Sequence, residues 1–281
     1  MKNITSVQSE ISQIQTVDLL TDTFKGISSQ QIGRLKERVL QSKDFFADLW
    51  SVYVQLRESP EYIRPKSPEY PGKTLLIAIT AEGGLSGDID KKLVDKMLAH
   101  YDSKNHDIIV LGYHGVLQLA QAGVTIIKYY KVPDKDIEQI NTGPIISDVL
   151  KYGDAIVFYQ TYITLGKQEI RSIDLFEAVQ DMASKTKTKK GEAITRTNYI
   201  FEPTVEEVME YMESIMMGTA LGQTILESKL AQYASRFNAM TAANEKAGEI
   251  LDDLKLQLSR SKRAESDERT REIINGMKHG V

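Results

Sequence analysis

Apolar side chains recur every three or four positions at both ends of the chain. The N-terminal series runs from Ile4 to Leu56, and the C-terminal series runs from Val205 to Leu258. This spacing puts the apolar residues on one face of an α-helix, and the C-terminal series has the heptad repeat of a coiled coil. The pattern predicts two long helices that pack against each other. The shaft-packing positions that we expect in the C-terminal helix are Leu226, Phe237, Met240, Leu251, Leu254 and Leu258.

Proline is absent from both of these ends. All seven prolines lie between Pro60 and Pro203. Because proline inside a helix removes a hydrogen bond and clashes with the preceding turn, long proline-free segments favour long helices. We therefore predict an N-terminal coiled-coil helix over 1–59, a globular domain over 60–203 and a C-terminal coiled-coil helix over 204–281. The alternative is that glycines break these ends into the shorter helices of an ordinary bundle. The glycines concerned are Gly26, Gly33, Gly218, Gly222 and Gly248.

Short apolar strand patterns alternate with helical patterns in the centre of the chain. The predicted strands span 75–80, 107–111, 124–129 and 155–162, and the predicted helices span 90–100, 116–122 and 137–152. Two closing strands are predicted at 167–175 and 195–201, with a lysine-rich loop between them at 185–190. Alternating strands and helices are typical of an α/β layer. The expected fold class is α/β: a Rossmann-like domain flanked by two long terminal helices that form an antiparallel coiled coil.

Charge and composition exclude several classes of protein. The chain carries 35 basic and 39 acidic residues, so it lacks the basic excess that is typical of nucleic-acid-binding proteins. The longest aliphatic run, 75–79, is far shorter than the roughly 20 apolar residues that span a bilayer, and we expect no membrane insertion. The absence of cysteine excludes disulfides, thiolate zinc sites and a cysteine nucleophile. The N-terminus lacks a secretory signal, which makes the cytoplasm the default compartment.

A glycine-rich turn, Gly83-Gly84-Leu85-Ser86-Gly87, follows the first predicted strand. Such a turn can bind phosphate at a helix N-terminus, but the lysine of a phosphate-binding loop is missing and Asp88 and Asp90 would repel a phosphate. We interpret Gly84 and Gly87 as residues of a structural turn, with no cofactor. The four histidines lack metal-ligand spacing, and no nucleophile has an evident neighbouring base, so neither a metal site nor a catalytic residue is predicted.

One segment near the C-terminus has no apolar face. Ser259 to Glu272 contains five basic and four acidic side chains, and Ala264 is its only apolar residue. A helix that is polar on all sides is a solvent bridge, a frayed end or a shaft inside a polar sleeve of a partner. The pattern alone leaves these three possibilities open.

Several motifs resemble the gamma subunit of rotary F-type ATP synthases, and the strongest stretch lies between residues 200 and 256. Residues 200–203 (Ile-Phe-Glu-Pro) resemble the family's aromatic-Glu-Pro entry to the C-terminal helix, and 226–228 match its Leu-Glu-Ser. Residues 236–243 resemble its Arg-Met-x-Ala-Met-x-Ala-Ala run, and 84–87 resemble its Gly-Leu-Cys-Gly turn. The N-terminal run matches only loosely, and Lys262-Arg263 stand where the family has Arg-Gln. The resemblance implies either a divergent bacterial gamma subunit or the gamma-like part of a specialised rotary ATPase.

This resemblance implies a mechanical role without catalysis. The shaft would turn inside a ring of alpha and beta subunits, and the α/β domain would contact the epsilon subunit and the membrane c-ring. The complex would lie at the cytoplasmic face of the bacterial plasma membrane, and Lys262 and Arg263 would contact carboxylates of a beta-subunit loop. Two other functions remain open: a phosphate- or nucleotide-binding α/β enzyme with helical arms, and a coiled-coil scaffold without a rotary role.

Overall fold

The structure is a computed structural model of the chain, and it describes residues 4–57, 69–134, 141–175, 177, 202 and 204–278. Its helices are α1 (Ile4–Arg57), α2 (Ile89–Leu98), α3 (Tyr113–Gln121), α4 (Gly143–Val149) and α5 (Val205–Lys278). Its strands are β1 (Tyr70–Ile79), β2 (His106–Leu111), β3 (Lys128–Tyr130), β4 (Tyr152–Thr164) and β5 (Lys167–Asp174). The chain divides into a helical unit, Met1–Ser28 with Arg236–Val281, and an α/β unit, Ser29–Ser235.

Both terminal helices are continuous through their glycines. Helix α1 has 54 residues and α5 has 74 residues, so the alternative of short bundle helices is wrong. An isolated glycine costs only about 1 kcal/mol in a helix, which many neighbouring helical residues offset. The expected fold class, an α/β domain with two long terminal helices, is confirmed.

The α/β unit contains a five-stranded mixed sheet in the order β3-β2-β1-β4-β5. Strand β1 pairs in parallel with β2 and with β4, while β4 and β5 form an antiparallel pair at one edge. Residues Leu75 to Ile79 of β1 have no exposed surface. An uninterrupted apolar run is what a central parallel strand requires, because helices cover both of its faces.

Alternate residues of β1 point into two separate cores. Leu75, Ile77 and Ile79 pack with α4 and with α5, whose contribution includes Met216 and Leu221. The intervening residues of β1 pack on the opposite face against α2, α3 and Phe158 of β4. The unit is therefore a three-layer α/β sandwich in which the first part of α5 is one of the covering helices.

In the helical unit, the buried face of α1 differs from the face predicted by its apolar series, which includes Val17, Leu20 and Ile27. Thr21 and Ser28 are buried, whereas Val17, Leu20 and Ile27 are 44%, 51% and 45% exposed. The two helices are joined there by a hydrogen bond in which Asn244 Nδ2 of α5 donates to Asp18 Oδ1 at 2.7 Å. The buried positions of α1 recur every seven residues, and the apolar series departs from that spacing.

Several element bounds differ from the predicted ones. Strand β1 begins five residues earlier than predicted, at Tyr70, β3 is limited to Lys128–Tyr130, and α4 to Gly143–Val149. The predicted strand at 195–201 and the lysine-rich loop at 185–190 lie outside the described residues. The division at 59/60 and 203/204 stays a prediction. Among the described helices, none is both long and apolar enough to cross a bilayer.

Candidate functional site

The glycine-rich segment after β1 is a turn with two left-handed residues. Gly87 has φ +69°, and Leu85, which is not a glycine, has φ +68°. A Cβ added at Gly84 would meet no atom within 4 Å, so steric crowding does not require glycine at this position. The interpretation of Gly84 and Gly87 as structural turn residues stays a prediction, and the left-handed backbone at Gly87 supports it.

A buried carboxylate occupies the inner side of this turn. Asp90, in the first turn of α2, has no exposed surface. It accepts hydrogen bonds from the Ala81 N–H at 3.3 Å and from Gln160 Nε2 at 2.8 Å. Its Oδ2 lies 2.7 Å from Nδ1 of His114, and this hydrogen bond raises the pKa of His114 above its ordinary value. The negative charge beside the turn disfavours a bound phosphate.

Polar side chains of α5 contact Gln160 of β4, close to the carboxyl end of β1. The Ser228 hydroxyl donates to Gln160 Oε1, and Gln232 Nε2 donates to the same oxygen at 3.3 Å. In sheets of this kind, ligands bind where the strand order changes direction, which here is beside β1. Because α5 contacts both Gln160 and the turn after β1, it covers this position, and the arrangement does not favour a nucleotide-binding enzyme.

A second group of contacts joins α5 to the loop after β3. Lys229, which has no exposed surface, donates from Nζ to Asp134 Oδ1 at 2.7 Å and to the Val132 carbonyl at 3.2 Å. The Tyr233 hydroxyl donates to the Asp134 carbonyl at 2.9 Å. Glu82 holds the other side of this loop by accepting from the Val132 N–H at 3.2 Å. Residues 132–134 are therefore held both by α5 and by the segment after β1.

The sequence profile of the ATP synthase family matches residues 3–278. The chain belongs to the ATP synthase family. The chain is 22% identical over 286 residues to the ATP synthase gamma chain of Halothermothrix orenii, and 98% of each chain is covered. It is 24% identical over 297 residues to that of Staphylococcus aureus strain JH9, again with 98% of each chain covered. The expected resemblance to the ATP synthase gamma-chain family is confirmed.

Solved structures of ATP synthases share the fold. The chain resembles one from the Euglena gracilis mitochondrial enzyme (OSCP/F1/c-ring, rotational state 3), with a TM-score of 0.66 at 14% identity. That match covers 98% of this chain and 93% of the other. A chain of the Tetrahymena thermophila mitochondrial central stalk/c-ring gives a TM-score of 0.58 at 17% identity, covering 80% and 99%.

The predicted shaft-packing residues of this ATP synthase family member differ in burial. Met240, Leu251 and Leu254 are each only 7% exposed, whereas Leu226, Phe237 and Leu258 are half-buried. Leu226 lies in the α/β unit and the other five lie in the helical unit. Their role in packing the shaft stays a prediction.

Lys262 and Arg263 are exposed residues of α5, and the structure describes the helix as far as Lys278. Beyond the polar segment, Ile273, Ile274 and Met277 are 61%, 48% and 74% exposed. Among the described residues, no group of three or more metal-ligating side chains could hold a metal ion.

The apolar pattern of the sequence does not single out the α5 residues that contact β4 and the loop after β3. Ser228, Lys229 and Gln232 have the composition of an exposed helix face, and nothing in their chemistry marks them as buried. Their spacing was the available signal, because residues three and four apart share one face of a helix.

Proposed function

We propose that this chain is a rotor shaft that couples rotation mechanically to ATP synthesis or hydrolysis and has no catalytic residue of its own. The observation that carries this proposal is the family match over residues 3–278 together with two uninterrupted terminal helices. A long helix whose backbone hydrogen bonds run along its axis suits the transmission of torque.

The partners that we propose are those of a gamma subunit: alpha and beta subunits around the shaft, and the epsilon subunit and c-ring at the α/β domain. Family membership and the matched central-stalk chains support this set. The ATP chemistry would then take place on the beta subunits. We also propose that the complex lies at the cytoplasmic face of a bacterial plasma membrane, with this chain as a peripheral subunit.

Rotation of an asymmetric shaft would make three otherwise equivalent catalytic sites differ in turn. A ligand or partner shifts an equilibrium only through a difference in its contacts with the two states. The shaft would supply that difference by presenting a different side to each beta subunit. Lys262 and Arg263 are the residues for which we propose contacts to beta-subunit carboxylates.

The test is reconstitution of the chain with alpha and beta subunits from the same source. We expect the full chain to assemble and to raise ATP hydrolysis above that of the alpha and beta subunits alone. A matched control ends after Leu258 and lacks the polar end of α5; we expect it to give less activation. Failure of the full chain to assemble with these subunits would refute the proposed role.

The nucleotide-binding alternative has its own test. Calorimetric titration of the isolated chain with ATP and ADP should detect no binding tighter than the millimolar range, which corresponds to about 4 kcal/mol. Micromolar binding that is lost in Gly87→Val would favour the enzyme instead. Self-association of the chain without any ATP synthase subunit would favour the scaffold.

A further inference from the structure

The apolar contacts between α5 and the sheet resist rotation of the helix about its axis only through the loss of burial. They come largely from Met212, Met216, Met217 and Leu221. Apolar burial has no preferred direction, and methionine adapts its flexible side chain to different surroundings. Apolar contacts alone therefore define the rotational position of the helix less sharply than directional hydrogen bonds do.

The polar contacts that follow along α5 do have direction. Ser228 and Gln232 donate to Gln160 of β4, and Lys229 donates to Asp134 in the loop after β3. Ser235 donates from Oγ to the Ser86 carbonyl in the turn after β1 at 2.7 Å. Three separate segments of the α/β unit therefore hold a short stretch of one helix.

Burial makes these contacts sensitive to rotation of the helix. Ser228 and Lys229 have no exposed surface, and Gln232 is 2% exposed. A buried polar group that loses its partner keeps its full desolvation cost, and the strength of a hydrogen bond falls steeply as its angle deteriorates. Rolling α5 by one residue position, about 100°, would separate these groups from their partners simultaneously.

The contact with Gln160 extends into a larger buried network. Gln160 Nε2 donates to Asp90, which also binds the Ala81 N–H and His114. Rotation of α5 would disturb Gln160, which already donates a hydrogen bond to the buried carboxylate of Asp90. Gln160 cannot readily turn to follow the helix without leaving Asp90 short of a donor.

These contacts also lie at a mechanically significant place in the chain. They occupy residues 228–235, and Ser235 is the last α/β-unit residue of α5 before the helical unit begins at Arg236. In the proposed function, torque passes along α5 through this point.

We propose that Gln160, Ser228, Lys229 and Gln232, which we call the α5 clamp, fix the rotational register of α5 on the α/β unit and prevent slip under torque. The first part of this inference concerns the chain alone, and the second part rests on the proposed function. The clamp residues are positioning residues, because they contact neither ATP nor any reacting atom in this chain.

The first test measures the register in the isolated full chain by the distance between two spin labels. The chain has no cysteine, so Asp95→Cys in α2 and Glu210→Cys in α5 provide unique, exposed attachment points. We expect Ser228→Ala/Gln232→Leu to shift or broaden the distance distribution. The milder Gln232→Leu serves if the double variant does not fold. A distribution identical to that of the parent would overturn the clamp.

The matched control is Gln223→Leu. Gln223 is a glutamine of the same helix, 7% exposed, and its Oε1 has no hydrogen-bond partner among the described residues. This change alters composition and burial as Gln232→Leu does but touches no clamp contact, so the distance distribution should stay that of the parent. Ser228→Thr keeps the hydroxyl donor and should also keep the parent distribution. Broadening in Gln223→Leu equal to that in Gln232→Leu would overturn the clamp.

The second test uses the assembled complex in membranes and compares ATP-driven ion pumping with ATP hydrolysis. We expect Gln232→Leu to lower the ratio of pumping to hydrolysis while hydrolysis persists, and Gln223→Leu to leave the ratio unchanged. A parental ratio in Gln232→Leu would overturn the role in torque. If the parent chain itself does not assemble, the proposed function fails, and the spin-label experiment still decides whether the clamp sets the register.

Discussion

Asp90 is a carboxylate without exposed surface, and it therefore needs hydrogen-bond partners inside the protein. A buried charge costs several kcal/mol unless hydrogen bonds replace its water. Asp90 obtains them from the Ala81 N–H, the Gln160 amide and His114. Of these partners, His114 alone changes its charge near neutral pH.

The raised pKa of His114 predicts how stability depends on pH. The folded-state pKa lies above the ordinary value of about 6.5, so the His114–Asp90 contact adds its full stability below about pH 6.5. This contribution is lost as the pH rises through the raised pKa. Urea denaturation on either side of that range should show a smaller pH dependence in His114→Gln than in the parent. An equal dependence in both proteins would contradict the prediction.

Gly112 and Gly123 allow steric crowding to be separated from backbone strain. Both are left-handed, with φ +94° and +71°. A Cβ at Gly112 would lie 2.1 Å from the Thr80 carbonyl oxygen, whereas one at Gly123 would meet nothing within 4 Å. We expect Gly123→Ala to cost about 1–2 kcal/mol and Gly112→Ala about 1–3 kcal/mol more. Denaturant midpoints measure both costs, and equal values would show that crowding at Gly112 is relieved without cost.

At the scale of elements, the buried face of α1 explains where the sequence pattern misled. Its buried or half-buried positions include Val7, Ile14, Thr21 and Ser28, which are seven residues apart. This is the heptad spacing of a coiled-coil seam. The apolar series leaves that spacing after Ile14 and continues through positions that the structure exposes. Apolarity alone therefore predicted the helix correctly and its buried face only in part.

Small hydroxyl residues can occupy such a seam because their hydroxyl groups donate hydrogen bonds to backbone carbonyls of the same helix. The Thr21 hydroxyl donates to the Asp18 carbonyl at 2.9 Å, and the Ser28 hydroxyl donates to the Phe24 carbonyl at 2.7 Å. These bonds inside the helix use the hydroxyl proton of each side chain, and Thr21 Oγ1 also accepts from Asn244 Nδ2 of α5 at 3.3 Å. A sequence pattern that counts only apolar residues cannot detect this.

The central strands were predictable because their buried positions are apolar. Strands β1, β2 and β4 contain continuous apolar runs, which have few alternatives to a buried sheet. Helix α4 and strand β3 were predicted only approximately, since both are short and their bounds depend on tertiary contacts. The α5 clamp was missed because buried Ser, Lys and Gln depend on partners far away in sequence.

Packing of α5 in the helical unit can be tested at Leu251 and Leu254. Each is 7% exposed, and burying a leucine contributes about 1.5–3 kcal/mol. We expect Leu251→Asp or Leu254→Asp to speed hydrogen exchange of backbone amides near the substitution. Lys255→Gln is the control, because its ion pair with Asp252 is exposed and long at 3.5 Å. Equal exchange in all variants would contradict a packed shaft at these positions.

At the scale of the whole molecule, the polar end of α5 is a helical segment without a buried side chain. From Ser259 to Glu272 its side chains are exposed or half-buried, and local pairs such as Arg269 with Glu265 support the helix. Such pairs add only about 0.2–0.5 kcal/mol each, so the segment depends on its surroundings for a fixed position. In the proposed function, those surroundings are the alpha and beta subunits.

Replacing Lys262 and Arg263 tests whether this end contacts beta-subunit carboxylates. A contact that forms and breaks during each rotation must be weak, and exposed ion pairs of about 0.2–1 kcal/mol meet that requirement. We expect Lys262→Ala/Arg263→Ala to change turnover or coupling of the reconstituted complex more than its assembly. The effect should shrink as salt rises, because the screening length falls from about 30 Å at 0.01 M to about 8 Å at 0.15 M.

Arg260→Ala/Arg271→Ala is the matched control for this experiment. It also removes two positive charges from exposed positions of this segment, but it leaves Lys262 and Arg263 in place. A general effect of charge would change turnover equally in both double variants, whereas a specific contact changes it only in Lys262→Ala/Arg263→Ala. Parental turnover and coupling in that variant at low salt would instead make the segment a solvated helix end, and the shaft would have to act on the beta subunits through other residues.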